Sequence, residues 1–183
     1  MKMRAIKIII FFLTAVAVVP SCVKEKLEET YNKQEEQIDK YITTQLGQNA
    51  DYSVEYNHGS SRLIRKAGDG PALESGGSVS FYYAGYAFNG NINQAGLFVT
   101  NHEETATNAN WNLTDPDYAL LEINLKDGRL LEGVRNGLLG VKAGEECEIL
   151  FSAKYGFGNS TFGIIPAKTA LAFKIWVVGV SND

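Results

Sequence analysis

Cysteine is nearly absent from this 183-residue chain, which has only Cys22 and Cys147. A disulfide framework or a thiolate-rich metal centre therefore has almost nothing to build on. Histidine is equally scarce, with His58 and His102 alone, so a histidine-rich metal site is excluded on numbers. No excess of positive charge exists either. The formal net charge is −4, and taking away Lys2, Arg4 and Lys7, which belong to a leader segment, leaves −7. That balance argues against nucleic-acid binding through a basic surface. Walker, Rossmann and zinc-type spacings are missing, and no internal repeat is visible. No cofactor is called for. The apolar run Ile8–Val19, about twelve residues, is too short to span ~30 Å of hydrocarbon.

What is present divides the chain into three. Residues 1–21 read as a bacterial lipoprotein leader: three positive charges, the short apolar run, then Val19-Pro20-Ser21-Cys22. The last four resemble a lipobox, which makes Cys22 the expected site of acylation and the first mature residue. Several acyl chains would anchor the chain stably, since each buried CH₂ contributes ~0.8 kcal/mol. The expected location is the cell envelope, lipid-anchored to a bacterial membrane, with the outer membrane as the first expectation. With Cys22 acylated, Cys147 has no partner within the chain, and its strand-like surroundings make it a packing residue.

Residues 22–50 are charged and glutamine-rich. Leu27, Tyr31, Ile38, Ile42 and Leu46 fall on one helical stripe, and Gly47 is a stop signal. The stripe is too short to tell a helix packed on the domain from a dimer seam, and a solvated spacer helix is the simplest expectation. Residues 51–183 have the grammar of strands. Val79–Ala84, Leu121–Leu125, Glu145–Ala153 and Leu171–Val180 alternate or favour a pleated surface. Leu130–Gly140 suits one short amphipathic helix. Asn101–Asp117 is polar, with Trp111 and Leu113 as its apolar exceptions, and reads as a long loop of the kind that is often functional. Many strands around one short helix make an α+β pattern, unlike the alternating βαβ of nucleotide-binding sheets.

From Leu63 to Val180 the residues resemble the FKBP-type peptidyl-prolyl cis-trans isomerases. Gly68-Asp69-Gly70-Pro71 looks like that family's first turn, and Val79-Ser80-Phe81-Tyr82-Tyr83-Ala84-Gly85 like its V-x-V-x-Y-x-G strand. Gly96-Leu97-Phe98, Leu130-Leu131-Glu132-Gly133-Val134 and Val141-Lys142-Ala143-Gly144-Glu145 follow in family order. Tyr155-Gly156-Phe157-Gly158, Gly163-Ile164-Ile165-Pro166 and Leu171-Ala172-Phe173 complete the series. The resemblance implies a twisted antiparallel sheet, a half-barrel wrapped around one short helix, with an apolar cleft between them. It also implies that proline-containing polypeptides are the partners, and that no metal, cofactor or nucleophile takes part.

Carried over position by position, the family's pocket assigns catalytic roles to Tyr83, Phe98, Leu131, Phe157, Ile165 and Phe173. Leu121, Leu130, Val134 and Phe162 become further lining residues. The Leu131 backbone N–H matches the one that receives a ligand carbonyl in the family. Three positions depart from the pattern: Val99 replaces an aspartate, Val134 a tryptophan and Phe157 a tyrosine. The cleft should therefore be greasier and poorer in donors. A lost hydroxyl donor weakens affinity or rate by up to about tenfold. The resemblance thus implies an isomerase of reduced activity, or a binding module on the same scaffold.

Overall fold

The alternating segments assemble into a single antiparallel sheet. A computed structural model describes residues 21–183. The leader assigned to 1–21 lies outside the described residues but for Ser21. The elements run α1 (Ser21–Gln48), β1 (Ser53–Asn57), β2 (Ser60–Lys66), β3 (Ser78–Phe88), β4 (Leu97–Thr100), α2 (Glu103–Asn108), β5 (Leu121–Asn124), α3 (Glu132–Leu138), β6 (Glu146–Phe151) and β7 (Ala170–Ser181). Spatial order is β1-β2-β6-β7-β3-β4, with β5 pairing the first residues of β3, Ser78–Phe81, on the edge that β4 pairs with further along. The long strands β3 and β7 form the spine. They stay in register from Ser78↔Ser181 to Phe88↔Ala170, with one irregularity between Ser80 and Phe81.

Alternation sorts the side chains onto two faces. Val79, Phe81, Ile149, Phe151, Leu171, Phe173 and Ile175 point to the inner face and form one core with Val134 and Leu138 of α3. α3 can lie close because two of the residues that face the sheet are glycines. A Cβ at Gly133 would stand 2.2 Å from the Phe151 ring, and one at Gly137 would stand 2.2 Å from Ile149. Arg62, almost wholly buried, closes the far end of this helix. Its guanidinium donates to the carbonyls of Gly137 (3.1 Å) and Leu139 (2.6 Å), satisfying C-terminal acceptors left open by the helix. Glu55 and Glu145 balance its charge.

The outer face carries two coverings that correct the sequence-based expectations. α1 is not a solvated spacer. Ile38 and Ile42 are buried against Leu63, Phe88, Leu150, Ala170 and Ala172, with Tyr41 and Leu46 alongside. The stripe therefore packs on its own domain, which also removes it as a free dimer seam. The 101–117 segment is not a structureless loop. α2 forms within it, with Glu103 and Glu104 in the first turn, where carboxylates favour a helix, and Ala106 fully buried. A second cluster of Ala84, Tyr86 and Leu97 is roofed by Ala109, Trp111 and Trp176. The low apolar content of the segment concealed this, because two alanines, Ala106 and Ala109, and one tryptophan, Trp111, suffice to seat it. Cys147 is buried on β6 and its thiol pKa is pushed up by burial, in keeping with a packing role. Among the described residues, no helix is long and apolar enough to cross a membrane.

Candidate functional site

The site grows from one glycine. Gly85 on β3 lies opposite Phe173 on β7 and Val99 on β4. A Cβ there would stand 2.8 Å from both of those side chains and 2.9 Å from Phe98. Its lack of a side chain makes the space in which the three converge. Phe98 and Phe173 meet edge-on, with ring centroids 5.8 Å apart, and Phe173 stacks on Phe151 at 6.0 Å. Such ring pairs are favourable beyond the area they bury. The two walls are therefore held by each other and by the core behind them.

Val134, Ile165 and Phe173 are buried members of the inner core. Tyr83, Phe98, Leu121, Leu130, Leu131 and Phe157 pack against that core while remaining partly open. Phe162 is 61 % exposed and joins through Phe157, with the two rings stacked at 4.4 Å. All ten side chains assigned from the sequence thus belong to one apolar neighbourhood at the α3 side of the sheet. Sequence reasoning missed Gly85 and Phe151 as supports. The only trace of either was the glycine closing the β3 motif and one more inward position on β6.

Two local structures aim the lining. Leu131 is the residue just before the first turn of α3, at φ −56° and ψ 143°. Its carbonyl accepts from the Arg135 N–H at 3.0 Å, while its own N–H has no backbone partner among the described residues. That donor is free for a carbonyl placed over the apolar cluster. Phe162 and Ile165 exchange both backbone hydrogen bonds, at 3.0 and 2.9 Å, across a two-residue turn. Gly163 begins the turn at φ 55°, a conformation that suits glycine. The turn drives Ile165 into the core and leaves Ile164 81 % exposed at the tip.

The ten positions carry one ionisable group, the Tyr83 hydroxyl, and burial pushes its pKa up, so it stays neutral and able to donate. Val99 and Val134 add no polar atom. Nucleophile–base chemistry has no members here. Among the described residues, no group of three or more His, Cys, Asp or Glu could hold a metal ion. Concavities open near His102: one of about 270 Å³ beside Tyr86, Lys174 and Trp176, and one of about 340 Å³ beside Tyr82, Asn101 and Tyr118. His102 itself is engaged, stacked on Trp176 at 3.8 Å with Nδ1 3.0 Å from the Thr105 hydroxyl.

Residues 70–178 match the family model of the FKBP-type peptidyl-prolyl cis-trans isomerases. The chain is 24 % identical over 123 residues to FK506-binding protein 1 of Aspergillus oryzae, an alignment covering 67 % of this chain and 99 % of that protein. In fold it is similar to the structure of the three FKBP domains of wheat FKBP73, with TM-score 0.57 and 17 % identity over 72 % of this chain and 52 % of the other. FkpA from Escherichia coli is also similar, with TM-score 0.54 and 17 % identity over 88 % of this chain and 65 % of that one. The chain thus spans about half of the wheat structure and just under two thirds of the bacterial one.

Proposed function

The chain belongs to the FKBP-type peptidyl-prolyl cis-trans isomerase family, and on that premise we propose that it catalyses cis–trans rotation of X–Pro bonds in exported polypeptides while anchored in the bacterial cell envelope through an acylated Cys22. The observation that carries the reading is the Phe98–Phe173 pair converging over Gly85 beside Ile165. Rotation about an X–Pro bond must cross ~18–20 kcal/mol, although the cis and trans forms differ by only ~0.5–1 kcal/mol. The barrier is lost amide resonance, and the planar amide is the more charge-separated form. An apolar, ring-walled surface disfavours that planar form more than the twisted one, which lowers the barrier without a covalent step. The Leu131 N–H receives the substrate carbonyl and fixes where the prolyl ring lies against the aromatic walls.

Supporting the anchor are the lipobox-like Val19-Pro20-Ser21-Cys22 and the apolar run before it. A second reading, a binding module with little turnover, is favoured by Val99, Val134 and Phe157, which withdraw donors and a large ring from the cleft.

The test is the relaxation of a short X-Pro peptide from cis to trans with the purified protein. Acceleration over buffer is expected, and Phe98→Ala should remove it, because the partly open Phe98 lies at the surface of the core. A wild-type rate equal to buffer moves the chain to the binding module, and a fully active Phe98→Ala protein refutes the site. In cells, Cys22→Ala should move the protein to the soluble fraction; retention in the membrane fraction overturns the anchor.

A further inference from the structure

Both ends of the loop that carries Phe157, Phe162 and Ile165 are tied to one side chain of the N-terminal helix. β6 ends at Phe151, and the chain does not re-enter the sheet until Ala170. Between them, the Gly158 N–H donates to the Ala153 carbonyl and the Lys168 N–H to the Gly158 carbonyl, each at 2.8 Å. These bonds draw residues 153, 158 and 168 together at the base of the loop. Lys168 holds a positive φ of 60°, a conformation non-glycine residues seldom adopt.

At that base the Gln34 amide of α1 makes two hydrogen bonds. Its Oε1 accepts from the Ala153 N–H at 2.9 Å, and its Nε2 donates to the Lys168 carbonyl at 2.6 Å. The two loop groups are of opposite polarity, and the amide offers each its complement, an acceptor and a donor side by side. Neighbours on the same helix face add to the contact. The Ser152 hydroxyl, fully buried, donates to Glu35 at 3.1 Å, and the Lys154 ammonium lies 3.6 Å from Glu28. The buried Tyr31 presents its hydroxyl 3.9 Å from where a Cβ of Gly158 would stand. Glu28, Tyr31, Gln34 and Glu35 share a face at spacings of three and four, so the docking of α1 and the hold on the loop are one event.

We propose that Gln34 is a positioning residue for the apolar site: its amide clamps the two ends of the 153–168 loop, so that the docked N-terminal helix sets where Phe157, Phe162 and Ile165 stand. Gln34 touches neither substrate nor the ring cluster. It acts through the loop backbone, and its consequence for turnover rests on the isomerase reading.

The experiment uses the full chain with Gln34→Ala, which loses both bonds, and Gln34→Glu, which keeps the acceptor and loses the donor. The first readout is amide hydrogen exchange, which needs no substrate. Exchange at Phe162, Ile165 and Lys168 should rise about tenfold in Gln34→Ala, on the scale of two lost hydrogen bonds, and less in Gln34→Glu. Amides in the middle of β3 and β7 should keep their protection. The second readout is peptide isomerisation, where KM should rise about three- to tenfold with kcat within about twofold, because a loosened wall weakens substrate seating. Unchanged exchange across 157–168 overturns the proposal, and so does a uniform rise that includes β3 and β7, the mark of simple destabilisation. A wild-type protein without isomerase activity refutes the isomerase reading alone, since exchange decides the clamp in either case.

Discussion

The two faces of the sheet are closed by opposite means. The inner face is covered by α3, seven residues long, which sits close because Gly133 and Gly137 let its backbone approach Phe151 and Ile149. The outer face is covered by α1 at one end and by the 101–111 segment at the other, both rich in polar residues. Each face contains a buried carboxylate, but they are served differently. Glu145, on the inner side, faces Arg62 with both groups almost wholly out of water. Glu148, on the outer side, is held by Arg65, which is 41 % exposed, and by the Tyr41 hydroxyl of α1 at 2.8 Å. The difference shows which side tolerates change. Shape on the inner face comes from backbone closeness and ring packing, which have little slack. The outer coverings are fastened by hydrogen bonds that solvent can partly replace.

Replacing the arginine in each pair should give the largest contrast. Arg62→Ala leaves Glu145 buried without a counter-charge and strips the Gly137 and Leu139 carbonyls of their donor. The expected cost is about 3–5 kcal/mol, a large share of an ordinary domain's stability. Arg65→Ala leaves Glu148 its tyrosine and opens it to water, so about 1 kcal/mol or less is expected. Urea unfolding midpoints measure both, and equal losses would show that the two faces do not differ in this way. Gly133→Ala comes next. The added methyl meets the ring of Phe151, which backs Phe173, so overpacking should cost about 1–3 kcal/mol and disturb the site wall at the same time. A variant with wild-type stability and peptide binding would mean that α3 can back away from the sheet freely.

The inner face was largely legible in the sequence, because alternation marks its strands and the family motifs fall on β3, α3 and β7 in order. Convergence of the rings was not legible from periodicity, since Phe98 and Phe173 look like any inward residues; only the family resemblance set them together. The two glycines of α3 resemble helix breakers until the ring and side chain pressed against them are seen. On the outer face much less could be read. The Tyr31–Ile42 stripe announces a buried helix face without naming what buries it, and Gln34 or Glu148 looks like any solvated polar residue. α2 was hidden because a segment with so few apolar residues carries no period at all.

The smallest effect expected separates the faces by pH. Burial holds the His102 imidazole below its ordinary pKa of 6.5, and the carboxylates of Glu104 and Glu146 offset this only in part. Between that lowered value and 6.5, the unfolded chain binds more protons at this position than the folded one. The contribution is therefore complete above about pH 6.5 and declines as acidification carries the solution down through the folded pKa. Protonation places a charge on a ring partly withdrawn from water, so the outer covering of α2 and Trp111 should loosen first. Urea midpoints at about pH 7.5 and about pH 5.5 should fall further on acidification for wild type than for His102→Gln, with tryptophan fluorescence as the probe. If the two proteins shift by the same amount, His102 is not the titrating group. The inner site, whose ten positions hold no group other than the Tyr83 hydroxyl that could titrate, should keep its peptide affinity over the same interval, so the outer covering responds to acid while the ring cluster does not.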